Sequence, residues 1–247
     1  MSRATDQVRR DWETLGASDP LWAVLVRPGT KNGGWDEQEF LATGRVEVDA
    51  ALAHLRALGV ELGTGSALDF GCGAGRLSQA LAAHVDRVVG VDVSEGMVAK
   101  ARSLDTTGGR CEFVVNPRDD LSMFQDGSFD LAYSSLVLQH LPPEQARTAL
   151  AEMARVTRPG GALVVLVATD TLRNVKGLLF KHAPLAMLRL GQRVVLRYPA
   201  PMRMHGTSAR EMSEVLEAAG MEVVDRVADE TQGGHWTYHR YFAVKRT

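Results

Sequence analysis

The chain has few of the features that mark specialised proteins. Of its 247 residues only Cys72 and Cys111 are cysteines, too few for a disulfide scaffold and in keeping with reduced thiols in the cytoplasm. It has no charge surplus: 28 Lys and Arg stand against 30 Asp and Glu, a formal net charge of −2. A protein built to hold a polyanion usually shows a basic excess, so nucleic acid is a disfavoured partner. No apolar run reaches the length of a membrane span, and Met1-Ser2-Arg3-Ala4-Thr5-Asp6 lacks the apolar core of a signal peptide. The expectation is a cytoplasmic protein without stable membrane insertion. Internal repeats and low-complexity tracts are also missing. A chain of this length can bury roughly 70% or more of its unfolded surface around one core, so a second domain is not required.

Against these absences stands Ala67-Leu68-Asp69-Phe70-Gly71-Cys72-Gly73-Ala74-Gly75, an apolar run that ends in three alternate glycines, after which Arg76-Leu77-Ser78 opens a helix. Such glycines let a ligand lie against the main chain at a helix N-terminus. A second β-rich run, Val88-Val89-Gly90-Val91-Asp92, ends in a carboxylate 21 positions after Gly71, where an acid can hold ribose hydroxyls. A dinucleotide fingerprint would need glycine at 76, which is Arg76, and no Gly-Lys-Ser/Thr follows for a P-loop. NAD and a nucleotide phosphate cradle are therefore excluded on spacing.

Asp69, Gly71, Gly73 and Gly75 form an Asp-x-Gly-x-Gly-x-Gly segment that resembles motif I of the class I S-adenosylmethionine-dependent methyltransferases, of the small-molecule type. Phe129-Asp130-Leu131-Ala132-Tyr133-Ser134-Ser135 resembles that family's fourth strand, Leu138-Gln139-His140-Leu141 the segment after it, and Arg158-Pro159-Gly160-Gly161-Ala162-Leu163 the turn into the fifth. The ordered matches cover residues 67–168. The resemblance implies a Rossmann-like α/β fold: a doubly wound, seven-stranded, mostly parallel sheet with an antiparallel last strand.

The β–α alternation from residue 67 favours a parallel sheet with right-handed crossovers. Strands are expected near 67–71, 87–92, 111–115, 129–134, 161–168, 221–227 and 238–245, and helices near 75–84, 94–103, 143–156 and 208–219. In a 3-2-1 strand order Cys72 and Cys111 fall at opposite strand ends and cannot bridge. Residues 1–60 read as a helical extension, with Asp36 and Glu39 as a capping box; residues 61–168 form the cofactor-binding half and 208–247 a helix and β-hairpin, all within one methyltransferase domain. Between them an insertion at 169–207 is both basic and apolar. It carries Arg173, Lys176, Lys181, Arg189, Arg193, Arg197 and Arg203, with no Asp or Glu from Thr171 to Thr207. A lid, a homodimer contact and transient membrane contact are its competing uses, in that order.

By resemblance, Gly71, Gly73 and Gly75 face the methionine part of S-adenosylmethionine and Asp69 holds its amino group, unless Asp69 is only a polar contact to a helix. Asp92 takes the ribose, since Ser94 can cap the next helix; Val93 and Met97 pack on adenine. Beyond strand 3 the sequence departs from the commonest pattern: Asn116-Pro117-Arg118-Asp119 offers Asn116, Arg118 or an acid further on, Asp119 first, for adenine, and Pro117 has no donor. Ser134, with Ser135, Gln139 and His140, lines the reactive end. His140, His205 and His235 are the candidate proton acceptors, because a histidine accepts protons near neutral pH. Trp12, Trp22 and Trp35 serve either as a lid over the substrate or as anchors of the first helices. The Asn/Asp-Pro-Pro-Tyr of amide and adenine methylases is absent, and neither paired cysteines nor His-x-x-x-His suggests a metal.

The activity this implies is methyl transfer to an O, N or C nucleophile of a small-molecule metabolite, oxygen first. Two rivals stand beside it. One is a protein that keeps the cofactor for structure or for another reaction, such as a cyclisation. The other is an RNA or protein methylase that docks through the basic insertion.

Overall fold

The computed structural model describes residues 3–171, 198–202, 204–231 and 236–246. Three helices precede the sheet: α1 (Arg3–Ser18), α2 (Pro20–Val24) and α3 (Glu37–Ala57). Asp36 starts α3 by accepting the backbone N–H of Gln38 and of Glu39 at 2.9 Å each, which satisfies two of the donors a helix start leaves unpaired. Then β1 (Ser66–Phe70), α4 (Arg76–Leu81), β2 (Arg87–Asp92), α5 (Glu95–Leu104), β3 (Cys111–Val115) and β4 (Phe129–Ser135) alternate. A short 3-10 turn at Leu138–His140 leads to α6 (Pro143–Val156), β5 (Thr157–Thr171), α7 (Ala209–Ala218), β6 (Met221–Asp229) and β7 (Trp236–Lys245).

The sheet runs in the order β3-β2-β1-β4-β5-β7-β6. Pairings from β3 through β5 are parallel, and β7 lies antiparallel to both β5 and β6. Residues 162–168 of β5 are all fully buried, as a strand covered on both faces requires. Alternation along it splits the core: Ala162 and Val164 join α3, α4 and α5, while Leu163, Val165 and Val167 join α6 and α7.

Two boundaries differ from the sequence expectation. β5 starts at Thr157 rather than 161, because Phe129 pairs with Thr157 before the register shifts and Leu131 meets Ala162; the irregularity absorbs Pro159-Gly160-Gly161. α4 stops at Leu81 rather than 84, since Ala83 and His84 bond three residues back to Ala80 and Leu81, the tighter geometry common at helix ends. Cys72 and Cys111 are buried, free thiols. Most of the 169–207 insertion, Arg203 and His235 lie outside the described residues, and with them the expected homodimer contact. Residues 198–202 and 204–207 return the chain to the sheet edge, where His205 N donates to Gln139 O at 2.6 Å and Thr207 N to Ala168 O at 3.2 Å. No helix among the described residues is long and apolar enough to cross a membrane.

Candidate active site

The strand order reverses at β1 and β4, and a doubly wound sheet opens its crevice beyond the strand ends at such a point. Here the crevice is bounded by Gly71 and Gly73 after β1, Asp92 and Val93 after β2, Asn116, Arg118 and Asp119 after β3, and Ser135, Val137 and His140 after β4. The glycine loop is tied to β2, since Gly71 N and Cys72 N both donate to Val91 O, at 2.8 and 3.0 Å. Asp92 completes that tie: Oδ2 accepts from Gly73 N and Oδ1 from Ser94 N, both at 2.9 Å. Burial pushes the Asp92 carboxyl above its ordinary value, and the backbone N–H groups of Ser94, Gly73 and Val93 oppose that push. After β3, Asn116 Nδ2 donates to Asp120 O at 2.8 Å and its Oδ1 accepts from Arg118 N at 3.2 Å, a side-chain-closed turn that fixes the outer end of the crevice.

The roof comes from the N-terminal helices. Val8 and Trp12, one turn apart on α1, and Val24 at the end of α2 face the crevice, and the Trp12 ring stands edge-on to His140 with centroids 5.1 Å apart. α1 is seated on α5 at Gly16, where a Cβ would lie 3.1 Å from Ser94 Oγ and 3.2 Å from Met97 Cγ. Glu13 Oε1 accepts from Gly96 N at 3.3 Å beside that contact. On the β4 side Leu136 has φ +62°, a left-handed conformation that a bulky residue holds only under constraint from its surroundings; its N–H donates to Leu166 O at 2.9 Å. The space over the glycines is filled by side chains. A Cβ on Gly73 would sit 2.6 Å from Val24 Cγ2, and one on Gly71 would run into Val137.

Gly71, Gly73, Asp92, Val93, Asn116, Asp119 and His140 are thus brought together, while four other expected contacts are not. Gly75 turns inward at φ +81°, where a Cβ would meet Phe113 at 3.0 Å and Ala101 at 3.1 Å, so its bareness serves packing. Met97 is fully buried beside Leu15 and Trp22. Ser134 donates to Phe70 O at 3.0 Å because alternate strand residues face opposite sides, which leaves Ser135 to face the crevice. Asp69 lies beneath the loop, where Oδ2 accepts from Ser78 Oγ at 2.6 Å and Oδ1 is buried with no hydrogen-bond partner; burial, moderated by Ser78 and Arg76, pushes its carboxyl up to about 7. Of the histidines, His205 is anchored by its backbone to Gln139 and is not among the crevice residues. Val8, Leu136 and Val137 were not anticipated. The i, i+4 spacing of Val8 and Trp12 is the one signal that marked an apolar face on α1.

Residues 68–165 match the family described as Methyltransferase domain. Over 201 residues the chain is 32% identical to the O-methyltransferase cnsE of Penicillium expansum, a match that covers 78% of this chain and 65% of that protein. The matched part of this chain spans less than two thirds of the length of the first curated relatives it matches. Magnesium protoporphyrin IX methyltransferase from Synechocystis PCC 6803, solved with SAH bound, superposes with a TM-score of 0.65 at 23% identity over 96% of this chain and 98% of that one. The [4+2]-cyclase SpnF superposes with a TM-score of 0.67 at 17% identity over 100% and 98%.

Proposed function

We propose, from the match of residues 68–165 to the Methyltransferase domain family, that this chain is an S-adenosylmethionine-dependent enzyme that methylates an oxygen of a small-molecule metabolite. One observation carries the reading: the glycine loop, the buried acid of β2 and the side-chain-closed turn after β3 line a single crevice in that order. The groups suit the cofactor. Gly71 and Gly73 would lie along its methionine part, Asp92 would accept the ribose hydroxyls, and Asn116 with Asp119 would meet adenine. Gly73 N and Ser94 N take one site on each Asp92 oxygen, and a carboxylate has about four lone-pair sites, so capacity remains for a ribose hydroxyl. The apolar filling is the adjustable part, since Val24 and Val137 must withdraw from the glycine backbone.

When bound, S-adenosylmethionine supplies a methyl group on a sulfonium, whose S–CH3 bonding pair returns to sulfur as the O–CH3 bond of the product forms. The chain's own task is alignment, exclusion of water and removal of the acceptor's proton. Trp12 and Val8 close the adenosyl side against water, and the constrained Leu136 fixes the loop that carries Ser135 and Val137. Of the described histidine candidates, His140 stands on the crevice wall with its ring held by Trp12. An O-methyltransferase among the relatives supports oxygen as the atom methylated.

The test is incubation of the purified chain with methyl-labelled cofactor and a panel of hydroxylated metabolites. Labelled product with matching S-adenosylhomocysteine is expected. The likeness to a cyclase supports one competing reading, a cofactor kept for other chemistry; tight cofactor binding with no S-adenosylhomocysteine formed would favour it. No affinity for either form of the cofactor would remove both.

A further inference from the structure

A second cavity of about 680 Å³ lies between α3 and the β6–β7 pair, within the roughly 300–1,000 Å³ of small-molecule sites. The crevice, about 120 Å³ with Val24 and Val137 seated over its glycines, is the smaller of the two spaces, and the cavity has the room for a second reactant. Residues adjacent in the chain or in the fold line the two spaces from opposite sides. Val24 faces the crevice while Leu25 faces the cavity, and Ser135 faces the crevice while Glu47 faces the cavity. At this boundary the buried Ser135 hydroxyl approaches the Glu47 carboxylate without completing a hydrogen bond.

The lining defines the occupant. Ala42, Val46 and Ala50 of α3 face Val227 and Phe242 across the cavity, with Trp35 at its mouth. The buried charges compensate one another: Glu47 pairs with Arg76 at 2.9 Å and with Arg240 at 3.3 Å, and Arg240 pairs with Asp229 at 3.0 Å. Lower down, His54 meets Asp225 at 2.7 Å, and at the mouth Arg27 lies over the Trp35 ring at 5.3 Å. A charged ligand would find no buried counter-charge left over, and burying it unpaired is costly. Glu47 stays ionised: burial pushes its carboxyl up, but Arg76 and Arg240 outweigh that and hold it below its ordinary value. It presents oxygen acceptors and no donor.

We infer that this cavity is the acceptor chamber, and that it takes an uncharged, largely apolar alcohol or phenol whose hydroxyl sits between Ser135 and Glu47. The assignment rests on the methyl-transfer reading of the crevice. As the new O–CH3 bond forms, the acceptor's O–H bond breaks and its proton passes to the Glu47 carboxylate and then to solvent, while the S–CH3 pair stays on sulfur. A carboxylate held low suffices, because an oxygen already bonding to a methyl carbon carries positive charge and gives up its proton readily.

The full chain, saturated with S-adenosylhomocysteine, is titrated calorimetrically with 1-naphthol as probe. Ala50→Trp and Val227→Trp fill the cavity from opposite walls, at positions exposed enough to spare the fold. Each is expected to weaken 1-naphthol binding at least about tenfold, with S-adenosylhomocysteine affinity unchanged. With methyl donor present, Glu47→Gln is expected to lower kcat for 1-naphthyl methyl ether formation by at least about 100-fold while binding of 1-naphthol changes little, and Glu47→Asp to recover part of it. The assignment is overturned if both tryptophan variants bind 1-naphthol like the wild type, if 1-naphthoate binds more tightly than 1-naphthol, or if the wild type holds both ligands and forms no ether. Loss of S-adenosylhomocysteine binding in the wild type is a separate readout and overturns the methyltransferase reading with it.

Discussion

Asp92 combines two tasks that substitutions can separate. Its carboxylate shapes the glycine loop through Gly73 N and Ser94 N and also faces the crevice. Asp92→Ala is expected to weaken cofactor binding by about 1–3 kcal/mol, the contribution of charge-assisted hydrogen bonds, and to lower the melting temperature because two backbone donors lose their acceptor. Asp92→Asn keeps one side-chain acceptor and should recover more of the stability than of the affinity. Calorimetry with S-adenosylhomocysteine beside thermal denaturation reads both; unchanged affinity in the alanine variant would take Asp92 out of the site. The glycines show where sequence stops at this scale. Gly71, Gly73 and Gly75 are alike in the motif, yet the first two face the crevice and the third packs on Phe113 and Ala101. That depends on which way each Cα–H points, which spacing does not encode. The left-handed Leu136 was invisible for the same reason, since nothing in a leucine announces a positive φ.

On the proposed reading of the crevice, cofactor entry depends on the N-terminal helices. Val24 occupies the space over Gly73, so part of the ligand's seat is closed until α2 shifts. A protein whose binding-competent state is a fraction of the population binds with affinity reduced by that fraction. Val24→Ala is therefore expected to raise the association rate of S-adenosylhomocysteine roughly three- to tenfold, with a smaller change in dissociation. Stopped-flow fluorescence from the nearby Trp12 and Trp22 measures it, and an unaltered rate would mean that α2 is not the gate. Alternating elements from residue 67 onward were legible because each apolar run is bounded by turn or cap residues, such as Ser94 before α5 and Pro142-Pro143 before α6. The role of α1 was only half legible. Amphipathicity says that Val8 and Trp12 are covered, and says nothing of what covers them. The boundary between crevice and cavity was out of reach altogether, because Glu47, Ser135, Asp229 and Arg240 lie on four elements whose contact is set by the strand order.

Across the whole molecule the buried carboxylates pull stability in opposite directions with pH. Glu47 and Asp229 are held below their ordinary values: burial pushes each up, and arginines together with hydrogen bonds outweigh it. Their stabilisation is complete above about pH 4.5 and is lost as pH falls through their lowered values. Asp69 works the other way. Its ordinary value of 3.8 rises to about 7 in the folded chain, so between those pH values the native state keeps a proton that the unfolded chain has released. Stability then declines as pH rises across that interval, because the slope follows the difference in bound protons. The two limbs place the maximum at about pH 4–4.5, where the rise from Glu47 and Asp229 ends and the fall from Asp69 has begun. Asp69→Asn cannot ionise and keeps an acceptor for Ser78, so it removes the descending limb: its stability relative to the wild type is expected to grow by an amount on the order of 1–3 kcal/mol between pH 5 and pH 8. Asp92, also raised by burial, leaves a residual slope of the same sign in the variant. Urea denaturation at the two pH values decides it, and a gain of equal size at both would mean that Asp69 is ionised throughout and that its unpartnered oxygen, rather than its proton, sets the cost.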